Sequence, residues 1–218
     1  MKLKVKKNYD GYGHFVENAM LLWIGKRIYP YVTSDMMSYL ALCAALGMGV
    51  VAFYAGSDLR LLWLMIPGII LHGIGDGLDG KVAKLRHEER PKYGYYMDRM
   101  LDSVSFSFVF IGIHLSSLTQ TDAWLFALIC IQLHMAHIFL KASVTSIFDM
   151  QIGRFGGAEM KLVETVVIIG VCLSGNPVLG TFGWTLLDWI GWMVTGMLSV
   201  ALFGLITHSL YGAKKICE

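Results

Sequence analysis

The sequence predicts an all-α integral membrane protein: six transmembrane helices preceded by an amphipathic helix lying along the interface. Three observations carry this. Of 218 residues, 56% are hydrophobic and 16% charged, and mean hydropathy is +0.57, whereas soluble domains are nearer a quarter charged. Six apolar runs approach the length of about 20 residues that a helix needs to cross a bilayer. With the N-terminus placed in the cytoplasm and the six runs threaded in turn, all 18 Lys and Arg residues except Arg60 fall on the cytoplasmic side. That is the bias cytoplasmic loops carry, and an odd number of spans would strand Lys214 and Lys215 on the wrong side. Both termini are therefore expected in the cytoplasm. The length fits a single domain over residues 1–218, with short loops and no internal repeat.

The basic start is interrupted by Asp10, Gly11 and Glu17, so it does not form the apolar core of a cleavable signal peptide. Residues 14–29 are too polar to span. Phe15, Ala19, Leu22 and Trp23 recur there at helical spacing, which predicts the interfacial helix. The first span is expected over 36–55 and the second over 60–84, where Pro67 should kink the helix and the small pair Gly73 and Gly77 should permit close packing. The third is expected over 94–117, the fourth over 123–146, the fifth and shortest over 160–175, and the sixth over 184–210. His134 and His137, three apart on the fourth, have no carboxylate nearby in sequence, which argues against a metal site there. Cys43, Cys130, Cys172 and Cys217 are widely spaced and serve as small hydrophobes, not disulfides. The net charge of +2, with basic residues spread over membrane flanks, offers no face for nucleic acid.

The chemistry is concentrated between Asp76 and Asp102. Four carboxylates (Asp76, Asp79, Asp98, Asp102) sit at the ends of membrane-length apolar runs, where a charge costs several kcal/mol unless it is bound. In a helix Asp76, Asp79, Gly80 and Ala83 share one face, and so do Gly94, Asp98 and Asp102. A short connection makes the two helices antiparallel neighbours, so the acidic faces meet at the cytoplasmic end. Oxygen ligands of this kind suit Mg²⁺ or Mn²⁺ rather than zinc, and two such ions can clamp the attacking and leaving oxygens of a phosphoryl displacement. Gly80 and Gly94 let a nucleotide approach the backbone, and Lys84 and Arg86 are placed to neutralise phosphate. His72, one turn before Asp76, is read as a hydrogen-bonder within the bundle. The plainer alternative is a buried salt-bridge network or an ion pathway.

This stretch resembles the signature of the CDP-alcohol phosphotransferases, D-x-x-D-G-x-x-A-R, about eight residues, G-x-x-x-D-x-x-x-D. It matches at Asp76, Asp79, Gly80, Ala83, Gly94, Asp98 and Asp102, and departs in having Lys84 for the usual Arg and nine residues before Gly94. The resemblance implies six spans with an N-terminal amphipathic helix, often in a homodimer. It implies that Asp76 and Asp98 contact both of two ions, that Asp79 holds one, and that Asp102 holds the other and is the general base. Gly80 and Lys84 would contact the cytidine diphosphate, beside Ala83, Gly94 and Arg86. The family often has Pro-Asn-x-x-Thr where the first span begins. Here Ser34-Asp35-Met36-Met37-Ser38 stands there, making Asp35 and Ser38 nucleotide candidates, with Asp35 equally suited to cap the helix.

The implied reaction is attack by an alcohol hydroxyl, deprotonated by Asp102, on the phosphorus distal to cytidine, with release of CMP. Members using CDP-choline or CDP-ethanolamine often carry Asp-His-Gly after the third motif Asp; here Arg99-Met100 follow Asp98. That favours CDP-diacylglycerol as donor to a small polar alcohol such as glycerol phosphate, serine or an inositol phosphate, over transfer of a CDP-linked head group to diacylglycerol. The glycine-rich turn over 153–161 resembles a short element many members carry. Glu159 and Glu164 suit a cationic acceptor; Lys141, Arg154 and Lys161 suit an anionic one, or simply anchor the membrane flank. A divalent-cation transporter is the competing class, but the acids lie in one half of the chain, whereas transporters repeat such features in both halves.

Overall fold

The computed structural model describes residues 4–5, 12–145, 147–148 and 157–217. The described helices are α1 (Tyr12–Ile28), α2 (Ser34–Tyr54), α3 (Met65–Leu85), α4 (Pro91–His114), α5 (Ala123–Thr145), α6 (Gly157–Ser174) and α7 (Leu186–Cys217). A parallel strand pair, β1 (Lys4–Val5) with β2 (Ile147–Phe148), and an antiparallel pair, β3 (Val178–Leu179) with β4 (Trp184–Thr185), complete them. Among the described residues, four stretches are long and apolar enough to cross a membrane: Ser34–Tyr54, Leu59–Leu85, Ala123–Leu140 and Leu186–Thr207. On α7, Met193, Met197, Val200 and Phe203 point outward and stay largely exposed. Water would not tolerate so broad an apolar face on a monomer, but lipid solvates it. The protein is an all-α membrane protein.

One local expectation is corrected. The N-cap of α2 is Thr33, not Asp35: Thr33 is extended (φ −101°, ψ 162°) and its hydroxyl accepts from the Met36 amide at 3.3 Å, leaving Asp35 inside the first turn. A tight 3₁₀ segment over Leu59–Leu64, capped by Asp58, runs directly into α3, and Pro67 falls in the first turn of α3. On α1, Ala19, Leu22 and Trp23 are exposed, while Leu21 docks against Leu78 and Val82; the side chain of Phe15 lies outside the described residues.

Helix α2 is central, packed on α3 and α4; α5 joins α4 to α7, and α6 rests on α3 and the 59–64 segment. Small residues set the close approaches. A Cβ on Gly75 would lie 2.7 Å from the Met37 carbonyl oxygen, and one on Gly112 would overlap the backbone of Gly49. The backbones of α2 and α3 thus approach closely one residue before Asp76. At the opposite end, Thr185 and Asp188 form a reciprocal cap on α7. The Asp188 carboxylate accepts from the Thr185 amide at 2.9 Å, while the Thr185 hydroxyl accepts from the Asp188 amide at 3.2 Å. Asp188 also accepts from the amides of Gln120 and Thr121, both at 3.0 Å, and from the Thr121 hydroxyl, so this fully buried carboxylate is surrounded by donors.

Candidate active site

Helices α3 and α4 run antiparallel across the connection 86–90, whose sharp turn holds His87 at φ 56°. Pro91 opens α4, its fixed φ suited to a first helical turn. Helical periodicity then does what the sequence pattern requires: Asp76 from α3 meets Asp98 and Asp102 from α4, with one carboxylate oxygen of each within 4.8 Å of the others. Among the described residues this is the group of three or more His, Cys, Asp or Glu side chains spaced to share an ion. Asp79 lines the same pocket, between α2, α3 and α4, but is turned toward α2, where the Ser38 hydroxyl donates to its Oδ2 at 3.0 Å.

Two protein cations lie on the acids. Arg99, itself only 12% exposed at its side chain, donates from Nη2 to Asp98 Oδ2 at 2.6 Å and from Nη1 to Asp102 Oδ2 at 2.7 Å. Lys161 Nζ, from α6, lies 3.6 Å from Asp76 Oδ2. A divalent cation fits this donor set: the ligands are all carboxylate oxygens, they converge from two rigid helices, and their charge is strong enough to gather two cationic side chains.

The remaining candidates divide into open and engaged groups. Gly80 and Gly94 are exposed, and a Cβ at either would meet nothing within 4 Å, so both border open space; Lys84 is exposed and Ala83 half-buried. Asp35 is ion-paired with Arg90 Nη2 at 3.0 Å. Arg86 donates to the Tyr29 carbonyl at 3.0 Å and forks onto Glu88 at 3.0 and 3.1 Å, tying the end of α3 to the chain between α1 and α2. Its hydrogen bonds hold the Glu88 carboxyl below the ordinary range. His72 lines the acidic pocket. His137 pairs through Nε2 with the Ser209 hydroxyl at 3.1 Å. Arg154 lies outside the described residues, as do the side chains of Lys141 and Glu159.

The sequence reading missed Arg99 as a partner of the acids, although its position three before Asp102 on one helix face was a signal for it. It also missed the reach of Lys161 onto Asp76, which depends on how α6 packs.

The family model for CDP-alcohol phosphatidyltransferases matches residues 31–201, taking in α2 through α6 and the first half of α7. No curated protein and no solved structure matches the chain. The family is generally dependent on divalent cations, and its reaction passes a phospho-alcohol from a CDP-alcohol to an alcohol acceptor in membrane lipid synthesis. With most of the chain inside that match and the motif acids converging where its helices meet, this integral membrane protein belongs to the CDP-alcohol phosphatidyltransferase family.

Proposed function

We propose that the protein transfers a phospho-alcohol group from a CDP-alcohol to an acceptor hydroxyl and releases CMP, as a single domain of six spans. The interfacial helix, both termini and the site would lie on the cytoplasmic side. The observation that carries this reading is the convergence of Asp76, Asp98 and Asp102 within 4.8 Å on the facing sides of α3 and α4.

Asp76, Asp79, Asp98 and Asp102 would hold two Mg²⁺ or Mn²⁺ ions, with Ser38 fixing the Asp79 carboxylate. When bound, these ions supply the positive charge that offsets charge building on the departing CMP. The open backbone at Gly80 and Gly94, with Ala83 between the acids and Lys84, would admit the cytidine diphosphate. Lys84 would offer its ammonium to phosphate as a point charge, where an Arg would have been bidentate. Asp35 and Arg86 sit at the rim and would reach the nucleotide only by leaving Arg90 and Glu88. Asp102 would take the proton from the acceptor hydroxyl. The new O–P bond forms at the phosphorus distal to cytidine, the phosphoanhydride bond breaks, and CMP leaves with the electron pair.

The Arg99-Met100 dipeptide favours CDP-diacylglycerol as donor; CDP-choline or CDP-ethanolamine is the alternative. The test is CMP release by purified protein with Mg²⁺ or Mn²⁺ and each donor, with and without chelator. Release that needs both metal and acceptor supports the reading. Metal flux into liposomes with no CMP from any donor–acceptor pair would replace it with transport.

A further inference from the structure

A second cavity, about 150 Å³, begins where the acidic pocket ends: His72, Asp102 and Ser105 line both. From there it runs between α2, α3, α4 and α6, past Met65, Phe106 and Ile168, to Ile113 and Val171. Asp102 and Ile113 lie roughly 16 Å apart along α4 at the helical rise of 1.5 Å per residue. Ala45 and Ala52 of α2, both without exposed surface, keep the wall back.

The lining is polar at one end only. His72, Asp102, Ser105 and Glu164 cluster at the mouth. Beyond them the walls are apolar, save for the Trp124 indole, whose N–H already donates to the Leu187 carbonyl at 3.2 Å. Among the described residues that line it, none is Lys or Arg. Apolar space of this size stays dry and accepts a ligand of about six carbons. A glycerol phosphate, a serine or an inositol phosphate would find neither a cation nor hydrogen-bonding partners past the mouth, and burying such groups unpaired is costly. About six carbons of a hydrocarbon chain would fit. Because the cavity opens at Asp102, the molecule that owns the chain brings its head to the carboxylate that takes the acceptor proton.

We infer that the acceptor is a lipid alcohol, with the first carbons of one acyl chain filling this cavity, the rest passing out beyond Val171, and its hydroxyl at Asp102. The inference rests on the transferase reading, holds for either donor, and departs from the small polar acceptor that Arg99-Met100 favours. The attacking oxygen is then the lipid hydroxyl: its proton passes to Asp102, its oxygen bonds the distal phosphorus, and CMP leaves.

The test measures CMP release across acceptors. CDP-choline and CDP-ethanolamine are offered with dihexanoylglycerol and dioleoylglycerol, and CDP-diacylglycerol with phosphatidylglycerol, glycerol phosphate, serine and an inositol phosphate. Release confined to lipid alcohols is expected. Val171→Phe, at the far end, should lower kcat/KM for the long-chain acceptor at least tenfold more than for the short-chain one. Wild-type protein is also photolabelled with a diacylglycerol carrying a diazirine at about the sixth chain carbon, which should mark peptides around Ile113 or Val171. Release with CDP-diacylglycerol and a water-soluble alcohol matching that with lipid alcohols would overturn the inference and give the chain to the donor. Labelling spread over the outer faces of the helices would overturn the cavity as a chain site. No CMP with any pair would sink the transferase reading itself, and labelling would still decide the cavity.

Discussion

Arg99→Gln is expected to make the protein bind Mn²⁺ more tightly. In the ion-free bundle Arg99 supplies the counter-charge for Asp98 and Asp102 through bonds of 2.6 and 2.7 Å. Two unit charges about 4 Å apart attract by about 4 kcal/mol at an effective dielectric of about 20. Desolvation takes back much of that, leaving about 1.5–3 kcal/mol net for a hydrogen bond between charged groups. An arriving cation must displace Arg99 from at least one carboxylate. Removing the guanidinium should therefore tighten Mn²⁺ binding by roughly 10- to 100-fold, at about 1.4 kcal/mol per decade. The free Mn²⁺ signal in electron paramagnetic resonance, titrated against protein in nanodiscs, reads this directly. Arg99→Lys keeps the charge and should fall between wild type and Gln. Equal or weaker Mn²⁺ binding by a monodisperse Arg99→Gln protein would refute the reasoning, because Arg99 would then hold the ligands in place rather than compete for them.

Three further outcomes follow from the geometry. Asp102→Asn should lower CMP release by about 10²- to 10⁴-fold, the usual worth of a general base, while donor binding by calorimetry stays near wild type; full turnover would reassign the base. Ser38→Ala frees the Asp79 carboxylate from its 3.0 Å bond and should weaken Mn²⁺ affinity by about 10- to 100-fold, the range for losing an outer partner of a ligand. Asp188→Ala leaves the Gln120, Thr121 and Thr185 amides without their carboxylate acceptor, at about 1–3 kcal/mol for each buried donor. Thermal unfolding in detergent should show this as a marked fall, with Asp188→Asn milder and Mn²⁺ affinity unmoved, since that network is at the far end of the bundle.

The helices were legible because lipid leaves little choice. A spanning segment must satisfy its own backbone and be apolar over its length, so the run expected at 36–55 became Ser34–Tyr54 and that at 123–146 became Ala123–Thr145. The acidic site was legible for a related reason: helical periodicity and a short connection fix which faces of α3 and α4 meet. Interactions between segments distant in sequence were not. Asp188 draws donors from residues 120 and 121 as well as its own turn, Arg86 reaches a carbonyl of Tyr29, and Gly49 meets Gly112 where α2 crosses α4. Nothing in the order of residues announces these contacts. The apolar cavity beyond Asp102 is of the same kind, since its walls come from several helices whose packing decides whether a space remains.

The central claim, that the converging aspartates carry phospho-alcohol transfer, is tested most directly by following each phosphorus of the donor. Protein in liposomes with Mg²⁺ receives CDP-alcohol labelled either at the phosphorus next to cytidine or at the distal one, together with a competent acceptor. The account predicts that the proximal label appears in CMP and the distal label in the new phosphodiester, in equal amounts, and that both transfers vanish with chelator or in Asp102→Asn. Distal label appearing as a free phosphomonoester would mean hydrolysis by water, and intact donor under every condition would remove the transferase assignment; either result would contradict the account.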